Sequence, residues 1–191
     1  MKLDQEQGAT LLAWARARLR QELGGAIAAR PRGAWCERPG ASFVTLRWAD
    51  TGDLQGCIGS LEARRTIVDD VGSNAVAAGT LDARGEDLAL GDVAALDVEL
   101  SVLSPLEPME VQSEEEALAA MRPGEDGIVI EMAGRRATFL PSMWPRLPTP
   151  RVFLAALKEK AGLPPDAWTD DARMWRYTVD KYSDPAPGRS S

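Results

Sequence analysis

Two glycines and a cysteine interrupt an otherwise strand-like run, Leu54-Gln55-Gly56-Cys57-Ile58-Gly59-Ser60-Leu61. Glycine inside a strand contributes no packing and lets a second backbone or a ligand come close. The fold must therefore bring something against this backbone, and the Cys57 sulfur between the glycines is approachable. Ahead of the run, Ser42-Phe43-Val44-Thr45-Leu46-Arg47-Trp48 reads as a strand and Ala49-Asp50-Thr51-Gly52-Asp53 as a turn, so the two stretches form a β-hairpin with Cys57 on its second arm. Leu96-Asp97-Val98-Glu99-Leu100-Ser101-Val102 alternates apolar and polar, the period of a strand with one face in the core. A second hairpin flanks Ala133-Gly134, from residues 127–132 to 135–140.

Helices punctuate these strands. Residues 5–23 are rich in Ala, Leu, Arg, Gln and Glu and stop at Gly24-Gly25, with Leu11, Leu12, Trp14, Ala15 and Leu19 as the buried side. The polar stretch 30–40 that follows is broken by Pro and Gly, and Cys36 within it reads as an incidental exposed thiol. Thr66 caps a helix whose apolar face is Ile67, Val71, Ala75 and Ala78. Asn74 falls on the same face, where an amide either ties down backbone or lines a cavity. Ser113-Glu114-Glu115-Glu116 has the spacing of a capping box, and Thr149-Pro150 opens a helix that ends at Gly162 and Pro164. Residues 175–179 read as a last strand or docking segment, and residues 183–191 as a disordered tail. Helices packed on a mainly antiparallel sheet make this an α+β chain. Its 191 residues and 45% hydrophobic content suit a single domain over residues 1–182, with room for a smaller second lobe.

Composition prunes the chemistry. The chain has no histidine, which removes Ser-His-Asp triads, Cys-His dyads and His-ligated zinc. A Cys57 thiolate would need Arg, Lys, a helix N-terminus or backbone amides to stabilise it, or a base from substrate or partner. The net charge of −7 disfavours nucleic acid. Two cysteines without CxxC spacing form no disulfide scaffold or zinc site and are expected as free thiols in the cytoplasm. No signal peptide or membrane-spanning run is visible, and no nucleotide-binding glycine loop. No metal or other cofactor is expected; Asp69, Asp70 and Asp82 read as solvated carboxylates.

Cys57 carries two readings: a reactive or ligand-contacting thiol, with amides near Gly56 and Gly59 turned to an anion, or a small apolar side chain packed in a tight strand. Asp82-Ala83-Arg84 also carries two. An Asp and an Arg two apart share no helix face, so they sit at a turn, either as a structural ion pair or with Arg84 recognising a carboxylate or phosphate near Cys57.

Taken together, Ser42-Phe43-Val44-Thr45-Leu46, Gly56-Cys57-Ile58-Gly59, Asp82-Ala83-Arg84, Thr138-Phe139-Leu140-Pro141-Ser142 and Lys160-Ala161-Gly162-Leu163 with Trp168 resemble the AMMECR family, the A component of AmmeMemoRadiSam systems. The resemblance runs from Leu11 to Tyr177. It implies that the Gly-Cys-Ile-Gly element is part of an active or binding site and that Memo-like and radical-SAM proteins are partners, the radical cofactor belonging to the partner. The expected site is Cys57 as the catalytic residue, with Gly56, Gly59, Asn74, Asp82 and Arg84 contacting a small molecule or peptide; the alternative is a noncatalytic interaction module. The chain departs from the family pattern at Gln55 for arginine, Gly85 for phenylalanine, Asp126 for histidine and Ser142 for glutamine. Loss of the aromatic at Gly85 is expected to open the pocket.

Overall fold

The computed structural model describes residues 3–184. In chain order the elements are α1 (Gln5–Glu22), β1 (Pro39–Gly40), β2 (Ser42–Trp48), β3 (Leu54–Gly59), β4 (Arg65–Thr66), α2 (Ile67–Thr80), β5 (Leu96–Leu103), β6 (Glu107–Met109), α3 (Glu114–Ala120), β7 (Gly127–Met132), β8 (Arg135–Phe139), α4 (Pro150–Lys160), β9 (Arg173–Tyr177) and β10 (Val179–Asp184). They divide into two compact units, one running through Leu103 and resuming at Asp180, the other comprising Ser104–Val179.

The first unit is built on a four-stranded sheet of order β10-β5-β2-β3. The β2–β3 hairpin is antiparallel, and β2 pairs with β5 from Ser42↔Val102 to Trp48↔Leu96. Alternation sends Val44 and Leu46, with Leu96, Val98, Leu100 and Val102, into a core shared with α1 and α2. The helices approach closely where side chains are missing: a Cβ on Gly72 or Gly79 of α2 would strike Trp14 or Leu19 of α1. Asp4 and Gln7 form a capping box at the start of α1. The turn closed by Cys36 N–H on the Gly33 carbonyl folds the following residues back, so Cys36 is fully buried in this core, where burial raises its pKa. The exposed thiol read from its polar neighbours is thus corrected: the loop's residues are polar, but its path crosses apolar side chains.

A buried carboxylate ties this unit together. Asp70 of α2, expected as a solvated carboxylate, is instead fully buried, because donors from β2 and from the residue after β3 converge on it. It accepts the Ser42 backbone N–H at 2.9 Å, the Ser42 hydroxyl at 2.7 Å, the Ser60 hydroxyl at 2.6 Å and the Asn74 amide at 2.9 Å. Arg65, in the two-residue strand β4 that pairs with β1, adds an ion pair at 3.3 Å.

The second unit holds another four-stranded sheet, of order β6-β9-β7-β8. Its β7–β8 hairpin turns through Ala133 and Gly134, both at positive φ (50° and 69°), as a two-residue hairpin loop requires. Ile128, Ile130 and Met132 of β7 pack with Phe153, Leu154 and Leu157 of α4 and with Trp144, which stacks on Phe153. Lys158 is fully buried, paired with Glu114 at 2.9 Å. Two terminal details depart from expectation. Ser113 does cap α3, but the Glu116 carboxylate reaches the Gln112 N–H rather than closing the box on Ser113. Strand β10 continues through Ser183 and Asp184, where a tail was expected; Asp184 is held by Arg16 at 2.9 Å. The remainder of the expected tail lies outside the described residues.

Removing the charge from a buried carboxylate that has several donors leaves those donors unsatisfied. Asp70→Asn should lower stability by about 2–4 kcal/mol, whereas Arg64→Gln, at an exposed pair with Glu62, should change it by less than about 0.5 kcal/mol. Urea unfolding followed by tryptophan fluorescence checks both; equal midpoints for the two variants would contradict the role given to Asp70.

Candidate functional site

Strand β3 is an edge strand of the first sheet, and its alternation decides what each residue of the Gly-Cys-Ile-Gly element meets. Gly56 and Ile58 face the helices, whereas Cys57 and Gly59 face outward, paired with Thr45 and Phe43 of β2. A Cβ on Gly56 would lie 1.9 Å from the Ala78 carbonyl of α2, so α2 makes the backbone approach that the sequence requires. At Gly59 the Phe43 ring takes the space, 2.2 Å from a built Cβ. The Cys57 thiol is half-buried on the outer face and accepts the Thr45 hydroxyl at 3.2 Å.

An edge strand leaves peptide groups unpaired. At Cys57 they are satisfied by side chains of the loop after α2. The Asp82 carboxylate accepts the Cys57 N–H at 2.8 Å, and the Arg84 guanidinium donates to the Cys57 carbonyl at 3.4 Å. Asp82 and Arg84 are themselves joined by a two-pronged contact, Nε to Oδ1 at 2.9 Å and Nη2 to Oδ2 at 2.6 Å. The carboxylate is well buried, with 6% of its side chain exposed, while 60% of the arginine side chain remains open to solvent. The hydrogen bond from Arg84, followed by that from the Cys57 amide, holds the Asp82 carboxyl far below the usual carboxylate range. In return the hydrogen bond to Asp82 raises the Arg84 pKa. With both oxygens engaged and its proton affinity lowered, Asp82 is a poor base and a good anchor.

The same loop also covers Gln55. Its side chain is 1% exposed. It donates to the Glu86 carbonyl at 2.7 Å and accepts from Glu86 N–H at 3.4 Å and from Trp48 Nε1 at 3.1 Å. A Cβ on Gly85 would fall 1.9 Å from the Gln55 carbonyl and 2.6 Å from its side-chain nitrogen. Gly85 therefore lets the loop close onto β3 by a backbone-to-backbone approach that a side chain would block. The same loop walls a hollow of about 390 Å³, lined by Leu23, Leu81, Asp82, Gly85, Glu86 and Leu88, so Gly85 borders an open space as well as the strand.

Of the expected site residues, the fold gathers Cys57, Gly56, Gly59, Asp82 and Arg84. Asn74 stands apart on the inner face, donating to the Ser42 carbonyl at 3.0 Å and to Asp70 at 2.9 Å; it ties down backbone. Asp126 is in the other unit, buried and bound by Arg122 at 2.9 Å. Thr45 is a site residue that the sequence does not show: a register shift between Leu46 and Arg47 sets it, rather than Val44, opposite Cys57. Among the described residues, no group of three or more His, Cys, Asp or Glu side chains is placed to hold a metal ion, and no helix is long and apolar enough to cross a membrane.

A carboxyl whose pKa is depressed by folding contributes stability above its unfolded pKa and loses that contribution as pH falls toward the folded value. Asp82→Asn should be less stable than the parent at pH 7, with the gap closing as pH drops below about 3.9. Urea midpoints across pH 2–7 measure it; a gap independent of pH would contradict the assignment.

The AMMECR1 family model matches residues 12–182. A protein of Methanothermobacter thermautotrophicus is 33% identical over 185 residues, covering 92% of this chain and 93% of that one. Protein MJ0810 of Methanocaldococcus jannaschii is 30% identical over 151 residues, 76% of this chain and 73% of its own length. Among solved structures, that of the uncharacterized protein PH0010 from Pyrococcus horikoshii superposes with a TM-score of 0.84 at 28% identity, over 98% of this chain and 96% of that chain, and has the same α+β fold. The family model spans residues 12–182, and the chain belongs to the AMMECR1 family.

Proposed function

We propose that the outer face of the first sheet around Cys57 is a ligand-contacting surface, where a carboxylate-bearing small molecule or peptide is recognised by Arg84 beside the thiol. The observation that carries this reading is the state of Arg84: fixed by Asp82 and by the Cys57 carbonyl, yet 60% exposed. A guanidinium already oriented loses little freedom when it binds a carboxylate; its Nε–Nη2 edge is engaged by Asp82, so the Nη1 N–H groups are the donors such a ligand would meet. The free thiols of Cys36 and Cys57 suit a reducing cytoplasm, where the protein acts with Memo-like and radical-SAM partners in a modification pathway.

Thiol-dependent chemistry is the sharper form of this reading, supported by the outward, half-buried position of Cys57. The chain has no histidine and Asp82 is committed to Arg84, so the base for such a reaction would come from the ligand or the partner.

A charged and a neutral alkylating agent of similar size separate recognition from mere access. The ratio of iodoacetate to iodoacetamide rates at Cys57, resolved from Cys36 by peptide mapping, should be about threefold or more higher in the folded protein than in urea, as expected for a cation within a few ångströms. Arg84→Gln should remove the preference and Arg84→Lys retain part of it. A folded ratio equal to the unfolded one, or a Cys57 inert until unfolding, would overturn the proposal.

A further inference from the structure

We infer that Thr45 is the positioning residue of the Cys57 thiol, a role that rests on the ligand-contacting surface proposed above. The two residues are direct partners in the antiparallel β2–β3 register, which puts both side chains on the outer face at close range. The hydroxyl donates to the sulfur at 3.2 Å. A donor aimed at sulfur selects one thiol rotamer and holds the sulfur in place on the outer face. Threonine suits this task because branching at Cβ restricts χ1, so the backbone of β2 largely dictates where the hydroxyl oxygen sits and its hydrogen turns to the sulfur.

The other neighbours of Thr45 point the same way. Its partner on the opposite strand is Glu99, anchored by Lys181 at 3.2 Å. Thr45 and Glu99 then line a hollow of about 320 Å³ together with Arg47, Asp97, Ser183 and Asp184, within the size range of small-molecule sites. The residue that holds the sulfur is thus also a wall of a ligand-sized space on the same face. The sheet places thiol, hydroxyl and hollow in one row across β3, β2 and β5.

Thr45→Val keeps the branched shape and removes the donor; Thr45→Ser keeps the donor and removes a methyl. In the folded protein, iodoacetamide should modify Cys57 roughly three- to tenfold more slowly in Thr45→Val, the scale of one ordinary hydrogen bond, and within about twofold of the parent in Thr45→Ser. Matching urea midpoints for the two variants would confirm that both are folded to the same degree. A Thr45→Val protein that reacts like the parent, or a Thr45→Ser protein as slow as Thr45→Val, would overturn the inference and leave only packing for Thr45. The iodoacetate preference set by Arg84 is a separate ratio that Thr45→Val should leave unchanged. Loss of that ratio with retention of the Thr45 effect would overturn the anion-recognition reading alone.

Discussion

Helix α2 is held across the inner face of the first sheet at two places, and the site on β3 depends on both. Near its start Asp70 accepts hydrogen bonds from Ser42 on β2, Ser60 just after β3 and Asn74 on the helix itself. Near its end the Ala78 carbonyl sits where Gly56 has no side chain. A buried carboxylate is costly unless fully partnered, which makes its arrangement specific, and a missing Cβ allows a helix-to-strand distance that no other residue permits. With both ends fixed, the helix closes at Thr80 and the next residues emerge at the open edge of β3. Asp82 arrives at Cys57 because α2 can sit in only one place.

From there the chain solves an edge-strand problem with side chains. A carboxylate and a guanidinium stand in for the C=O and N–H of a neighbouring strand at Cys57, and two residues earlier the side-chain amide of Gln55, a residue unpaired in the β2–β3 register, exchanges hydrogen bonds with the Glu86 peptide. This protects the edge from pairing with another chain and leaves on the surface what a continuous backbone strand would not supply: a fixed cation next to a thiol. The structural role of the Asp-x-Arg element and the recognition proposed for it rest on one geometry, seen from inside and outside.

Local chemistry made much of this readable in the sequence. The capping residues Thr66, Ser113 and Thr149, the glycine stop after α1 and the alternation in β5 act over a few residues, and each reports the element it begins or shapes. The turn assignment of Asp82 and Arg84 follows from spacing alone. Features set by distant segments were not readable. Cys36 is buried because a polar loop crosses an apolar core, and Gly85 closes on Gln55 from thirty residues away. Strand β10 is polar and is ordered by β5 and Arg16 rather than by its own composition. Asn74 had two readings on sequence, and only the position of Ser42 beneath it decides between them.

The central claim is that Asp82 holds the Cys57 peptide at the sheet edge, and hydrogen exchange at the Cys57 amide tests it most directly. This N–H donates to Asp82 and not to β2, whereas the Ser60 N–H donates to the Ser42 carbonyl. Cys57 should be protected in the parent protein and exchange at close to the unstructured rate in Asp82→Ala, while Ser60 stays protected in both. An unprotected Cys57 amide in the parent, or protection that survives Asp82→Ala, would contradict the account.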